Sequence, residues 1–176
     1  LKYIKHTENL LETADHVKFL VTRAIEKQLV SDVPIGTFLS GGLDSSIISA
    51  VASKKIKNID TFSLSFKDNE KYFSKSIFQP DSDDKWVKKT QEFIKSNHHE
   101  IILDSIDTGY ALEKAMQARD LPGMADIDSS LLLFCAEIKK YITVALSGEC
   151  ADEIFGGYPW FYREDLKTDN NFPWTR

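Results

Sequence analysis

The sequence predicts an α/β protein built on a parallel sheet with helices on both faces. Three observations lead there. Stretches with apolar residues at helical spacing take turns along the chain with short apolar runs. The runs are apolar rather than alternating in polarity, and Gly, Pro, Asn or Asp punctuates most of the junctions. A strand covered on both sides has no solvent face to mark, and that is the condition of a parallel sheet between two helical layers.

The first helix is read from Thr13, where Val17, Leu20, Val21, Ala24, Ile25 and Leu29 recur at helical spacing. Ser31-Asp32-Val33-Pro34 stops it. A strand over residues 35–39 follows, then the turn Ser40-Gly41-Gly42, then a helix over 44–54 with Ile47, Ile48, Val51 and Ala52 inward. Residues 59–66 form the second strand. Residues 67–83 are polar and turn-rich, with Asn69, Pro80 and Asp81, and read as an irregular loop of a length that signals function or motion. A helix over 84–96 has Trp86, Val87, Phe93 and Ile94 as its apolar set, and a third strand covers 99–103. A helix over 107–117 is broken by Leu121-Pro122-Gly123, and another covers 129–140. The fourth strand, 142–146, ends at Ser147-Gly148, and a short helix over 152–155 stops at Gly156-Gly157. No internal repeat is present.

Composition narrows the function. Of 176 residues 42% are hydrophobic, with 11 Phe, 6 Tyr and 3 Trp, enough for an ordinary globular core. Twenty-two basic against 27 acidic side chains give a net charge of -5, which argues against nucleic acid as a partner. Phosphate chemistry stays open, because main-chain amides and a metal ion can hold phosphate. Cys135 and Cys150 form no C-x-x-C pair, so reduced cytoplasmic thiols are expected rather than a disulfide scaffold or a structural zinc. The longest apolar runs, such as residues 131–136, fall far short of the ~20 residues of a membrane span. The chain opens on Leu1 and reads as a piece of a longer polypeptide.

Ligands of parallel sheets bind beyond the carboxyl ends of the strands. Two strands end in Ser-Gly here, at Ser40-Gly41 and Ser147-Gly148, so both turns are expected on one rim. In the first, Ser40-Gly41-Gly42-Leu43-Asp44-Ser45-Ser46, two glycines allow positive φ and close approach, and the N–H groups of the helix start point into the turn. This is a cradle for phosphate or pyrophosphate without the lysine of a Walker A loop. Asp44 would repel phosphate unless a divalent cation stands between them, and Mg²⁺ suits that place. The second turn, residues 147–153, crowds Glu149, Asp152 and Glu153 at a helix start. Asp44 and Asp152 are the candidate pair for Mg²⁺, and Glu149 is left to face a substrate. The plainer reading of both turns is a capped helix whose acids complement its dipole.

The S-G-G-L-D-S-S segment after a strand resembles the pyrophosphate loop of the PP-loop ATP pyrophosphatases. With L-S-G-E-x-A-D-E-x-F-G-G-Y at residues 146–158, it resembles the synthetase domain of glutamine-dependent asparagine synthetases, over most of residues 13–162. Asp32-Val33-Pro34 and Phe62-Ser63-Leu64 fit the same pattern. The resemblance implies that Ser40, Gly41, Gly42, Asp44, Ser45 and Ser46 hold pyrophosphate and magnesium. It implies that Phe38 or Leu39, with Leu64, flanks adenosine, and that Ser147 and Gly148 contact the nucleotide. Asp152 would hold the other side of the metal, and Glu149 would serve the aspartate or ammonia region. The implied reaction is ATP-dependent activation of aspartate as β-aspartyl-AMP, then amide formation with ammonia drawn from glutamine. The resemblance further implies a cytoplasmic enzyme, with a homodimer as one assembly. On this reading residues 1–176 are one incomplete synthetase domain, without the glutaminase domain or the downstream region that supplies a lysine.

Three departures from the family pattern stand out. Cys150 replaces a usual glycine, and a positive φ there would strain it. Met124-Ala125-Asp126-Ile127-Asp128 lacks the arginine often found before the following helix, with Arg119 the nearest cation in sequence. The lysine-bearing region is absent. The rivals are a β-lactam-forming synthetase, a tRNA-modifying ligase, and a piece that binds nucleotide but is inactive alone. His98-His99 is read as surface, and the aromatic run at residues 158–162 as a cover for core or for a part of the protein not present.

Overall fold

The computed structural model of the protein describes residues 6–72 and 83–164. Two compact units make up the chain, Leu1–Leu146 and Ser147–Arg176. The first holds α1 (Leu10–Gln28), β1 (Ile35–Phe38), α2 (Leu43–Ser53), β2 (Asp60–Phe66), α3 (Asn69–Tyr72), α4 (Asp84–Ile94), β3 (Asn97–Leu103), α5 (Ser105–Tyr110), α6 (Leu112–Arg119), α7 (Ala125–Ile138) and β4 (Val144–Leu146). The second holds the short helices α8 (Ala151–Phe155) and α9 (Pro159–Tyr162).

The four strands form one sheet in the order β3-β2-β1-β4, with every neighbouring pair parallel. Side chains alternate across a strand, so the register assigns faces. Thr37 of β1 and its partner Thr61 of β2 point to the face covered by α2, where Thr37 Oγ1 lies 2.7 Å from Ser49 Oγ. Phe38 and Phe62 point the other way, onto α7. There Phe62, Phe134, Ile138 and Ile142 form the buried core, and Phe38 meets Phe134 at 5.1 Å between ring centroids. Helices therefore lie on both faces, as expected.

Several boundaries and inward faces differ from expectation. α1 begins at Leu10 because Asn9 and Glu12 form a reciprocal capping box, each satisfying the other's backbone N–H. Of its apolar series only Ile25 is buried. α2 turns Ser45, Ser49 and Ala52 inward, while Ile47 is on the exposed side. Small side chains let this helix lie close to β1, and the hydroxyl pair satisfies both buried partners. In α4, Val87 is buried but Trp86 and Phe93 are exposed. The helix expected over 107–117 is two helices that meet at Ala111, the first capped by Asp104 through the Ile106 N–H. α7 starts four residues early, at Ala125, which buries Ser129 and Ser130. β3 starts at Asn97, two residues early, and so includes both histidines. β4 is shorter than expected and begins at Val144, which pairs with Ile35; the N–H groups of Thr143 and Val144 both donate to the Pro34 carbonyl. α3 occupies part of the stretch read as loop; residues 73–82 of that loop, and the chain after residue 164, lie outside the described residues. No helix among the described residues is long and apolar enough to cross a membrane.

Gly36 sits at the centre of the sheet, and no side chain fits there. A Cβ would stand 2.7 Å from the Asp60 carbonyl oxygen, 2.8 Å from Ile142 Cδ1 and 2.9 Å from the Phe62 ring. Gly36→Ala is expected to lower the unfolding free energy by about 1–3 kcal/mol, the usual cost of overpacking, measured by urea titration followed by circular dichroism.

Candidate functional site

The first turn is built from the end of β1 outward. The Leu39 N–H still donates to the Phe62 carbonyl, 2.8 Å away, so the strand direction holds for one residue past Phe38. The chain then reverses through Ser40, Gly41 and Gly42. Gly41 has φ +86°, and a Cβ there would meet the Asp83 carbonyl oxygen at 2.7 Å and Trp86 Cβ at 3.2 Å. Glycine is needed here on two counts, conformation and space. The start of α4 therefore backs the turn directly, and Ser46 Oγ lies 3.4 Å from Thr90 Oγ1 on the same helix.

Gly42 is the N-cap of α2 and provides no side-chain cap. α1 and α5, by contrast, are capped by Asn9 and Asp104. The N–H groups of the first turn of a helix have no intrahelical acceptor, and without a cap they are open to an anion. Ser45 is buried and shapes the loop from within. Its Oγ accepts from the Ser40 N–H at 3.2 Å, lies 3.0 Å from Ser40 Oγ, and reaches the Gly42 carbonyl at 3.2 Å. Ser40 is exposed at the mouth of the turn.

Asp44 lies in the first turn of α2, half-buried, with no hydrogen bond or ion pair among the described residues. Among those residues no group of three His, Cys, Asp or Glu side chains converges on a metal position. One free carboxylate beside a phosphate-sized cradle is a donor set that fits Mg²⁺, which binds through one or two carboxylates plus phosphate oxygens and water. Of the residues expected to flank adenosine, Leu64 is 36% exposed, Phe38 is half-buried against Phe134, and Leu39 is fully buried with its N–H bonded to the Phe62 carbonyl.

β4 closes the first unit at Leu146, which pairs with Thr37, so β1 and β4 run out at the same rim of the sheet. In the second unit the turn after Leu146 is pinned by the Glu149 N–H, which donates to Ser147 Oγ at 3.2 Å. Glu149 lies before α8 rather than in it; Asp152 and Glu153 occupy its first turn, and all three carboxylates are exposed. Cys150 is the N-cap residue, with φ 68° and ψ 6°. The condition posed by the sequence is thus met: this position is left-handed, and cysteine is strained where glycine would not be. Gly156, at φ +70°, ends the helix. Tyr158 donates its hydroxyl to Glu153 at 3.2 Å, and its ring stacks on Trp160 at 4.3 Å. Desolvation, the hydrogen bond to Glu153 and the charges of Glu153, Asp152 and Glu149 raise the Tyr158 phenol above its ordinary pKa. The aromatic run stacks mainly on itself, with Phe161 and Tyr162 exposed.

Two readings of individual residues change. Arg119 forms an ion pair with Asp128 in the first turn of α7, so the nearest cation to that segment is already engaged. His98 and His99 are half-buried rather than on the surface. His99 stacks on Phe62 at 4.9 Å and bonds Asp60 at 2.8 Å, while His98 faces the opposite side among hydroxyls. The backing of Gly41 by Asp83 and Trp86 was not readable in advance, because the partners are more than forty residues apart.

The profile of the asparagine synthase family matches residues 16–176. The chain is 49% identical over 177 aligned residues to asparagine synthetase [glutamine-hydrolyzing] 3 of Bacillus subtilis, covering 98% of this chain and 28% of that protein. It is 29% identical to the mouse asparagine synthetase [glutamine-hydrolyzing], covering 87% of this chain and 27% of that one. A solved NMN synthetase from Francisella tularensis superposes with a TM-score of 0.43 at 14% identity, covering 86% of this chain and 60% of its own. The chain spans about a quarter of the length of the curated relatives it matches.

Cys150→Gly is expected to stabilise the second unit by about 1 kcal/mol by removing the Cβ penalty of the left-handed conformation, whereas Cys150→Ala is not. Thermal unfolding of the two variants side by side checks this. Gly41→Ala is expected to distort the first turn and to lower the unfolding free energy of the first unit by about 1–3 kcal/mol, read by urea titration followed by circular dichroism.

Proposed function

The chain belongs to the asparagine synthase family, and from that premise we propose that it is the nucleotide-binding, synthetase portion of an ATP-dependent amide ligase that makes asparagine. The observation that carries the reading is the first turn: a glycine-opened helix start at the end of β1 without a side-chain cap, with the carboxylate of Asp44, unpaired among the described residues, beside it. Such a turn is suited to holding a leaving group, and adenylation needs little more. An oxygen of the aspartate side chain attacks the α-phosphorus of ATP; the new P–O bond forms as the bond to the β-phosphate oxygen breaks, and pyrophosphate departs. Main-chain N–H groups of the Gly42–Ser45 turn, with the Ser40 hydroxyl, receive the charge that develops on it.

Asp44 and Asp152 are the residues we assign to Mg²⁺. When bound, the ion neutralises charge on the departing pyrophosphate. Ser45 keeps the loop in shape through its three contacts, and Ser46 ties it to α4. Leu64, with Phe38 or Leu39, flanks the adenosine; Ser147 and Gly148 contact the nucleotide. Glu149 serves the aspartate and ammonia side, where a carboxylate can take the proton that ammonia sheds as its nitrogen displaces AMP from β-aspartyl-AMP. A glutaminase domain in the full-length enzyme supplies that ammonia, and the enzyme acts in the cytoplasm.

In the full-length enzyme, exchange of labelled pyrophosphate into ATP is expected to depend on aspartate. Asp44→Ala and Asp152→Ala are each expected to reduce it about 100-fold or more. Wild-type exchange in both variants removes the metal assignment. Exchange supported by a different carboxylic acid, and not by aspartate, moves the chain to another amide ligase, such as a β-lactam-forming synthetase.

A further inference from the structure

β2 is longer than its neighbour. Phe62 is its last residue paired with β1, and residues 63–66 pair with β3 alone. This overhang carries Leu64 out to the rim, 36% exposed. The side chain that ties it down comes from β3. His98 sits opposite Thr61 in the register, and its ring bridges two same-face residues of β2: Nδ1 lies 2.9 Å from Thr61 Oγ1, and Nε2 lies 3.0 Å from Ser63 Oγ. Thr61 Oγ1 also meets Ser96 Oγ at 2.9 Å. Thr61 is fully buried and Ser63 nearly so. Among the described residues, Ser63 makes the last side-chain hydrogen bond of β2, and beyond it the strand is held by its ladder with β3 as far as Phe66.

The ring is chemically suited to the task. Burial, then the neighbouring His99, hold His98 below the ordinary histidine pKa, so the neutral form is kept. A neutral imidazole has one donor and one acceptor nitrogen, and a hydroxyl can answer either, so both bonds form at once in either tautomer. One rigid ring touching residues i and i+2 fixes the strand on both sides of Phe62. That residue in turn accepts the Leu39 N–H. A shift of the overhang would move Leu64 relative to the end of β1.

We propose that His98 is a positioning residue for the nucleotide: its ring, bonded to both Thr61 and Ser63, sets the end of β2 so that Leu64 stands at the rim where the adenosine is assigned. This rests on the ATP reading given above, and His98 itself touches no substrate.

The two nitrogens can be separated by isosteres. In the full-length enzyme, His98→Asn keeps a polar atom near the Nδ1 position and loses the reach to Ser63, whereas His98→Gln reaches the Nε2 position. His98→Asn and Ser63→Ala are each expected to raise the KM for ATP about five- to tenfold, the effect of one lost positioning hydrogen bond, with kcat and the KM for aspartate within about twofold of wild type. His98→Gln is expected to restore the KM for ATP to within about twofold. Equal KM values for ATP in the Asn and Gln variants, or an unchanged KM in Ser63→Ala, overturn the proposal. So does a parallel loss of kcat and of affinity for both substrates, which marks general damage to the sheet. Failure of the ATP reading shows separately, as wild-type enzyme that neither binds ATP nor exchanges pyrophosphate.

Discussion

Helix α2 meets the sheet through hydroxyls and a methyl group instead of large apolar side chains. Thr37 and Ser49 share a buried hydrogen bond of 2.7 Å, and Ser45 and Ala52 are the other inward positions. On the opposite face of β1, Gly36 has no side chain to hold Phe62 and Ile142 away. Small groups on both sides allow β1 to be an inner strand and α2 to start soon after it ends, with only residues 39–42 between. A large side chain at Ser49 would lift the helix and move its first turn away from the strand end. The geometry of the first turn thus depends on volume and on one satisfied hydroxyl pair, not on a deep apolar contact.

The same economy governs the charges. α1 and α5 spend side chains on capping their own N-termini. α2, like α4, α6 and α7, does not, and its Asp44 has no hydrogen bond or ion pair among the described residues. The loop is nevertheless not loose. Ser45 ties it from within, and the Asp83 carbonyl and Trp86 press on Gly41 from α4. A rigid turn with unspent donors is what charge stabilisation on a leaving group asks for, since its dipoles need no reorganisation as the charge appears.

The pair His98-His99 shows how one dipeptide can serve two layers. Adjacent residues of a strand point to opposite faces. His98 joins Thr61 and Ser63 on the hydroxyl-rich face, while His99 stacks on Phe62 and bonds Asp60 on the aromatic face. The sheet therefore has one polar and one apolar covered face. This explains why serines and threonines in β1, β2 and α2 belong to the interior.

The succession of elements, the parallel sheet and the phosphate-type turn were legible in the sequence, because they rest on local signals: helical spacing in α1, the Pro34 stop, paired glycines after a short apolar strand. The Cys150 question was legible too, as a question. Local sequence could not tell which face of α2 is buried, since Ile47 and Ile48 outrank Ser45 and Ser49 in hydrophobicity and only the neighbouring strand decides which shape fits. Nor could it place His98 inside: a histidine is stable there only when hydroxyls from another strand answer both ring nitrogens, and that pairing is created by the β2–β3 register. Spacing along the chain determined the order of the four strands and the main helices, and which residues are candidates to hold phosphate. The fold alone decided which of them are free to do so, because burial and hydrogen-bond partners come from residues far away in sequence.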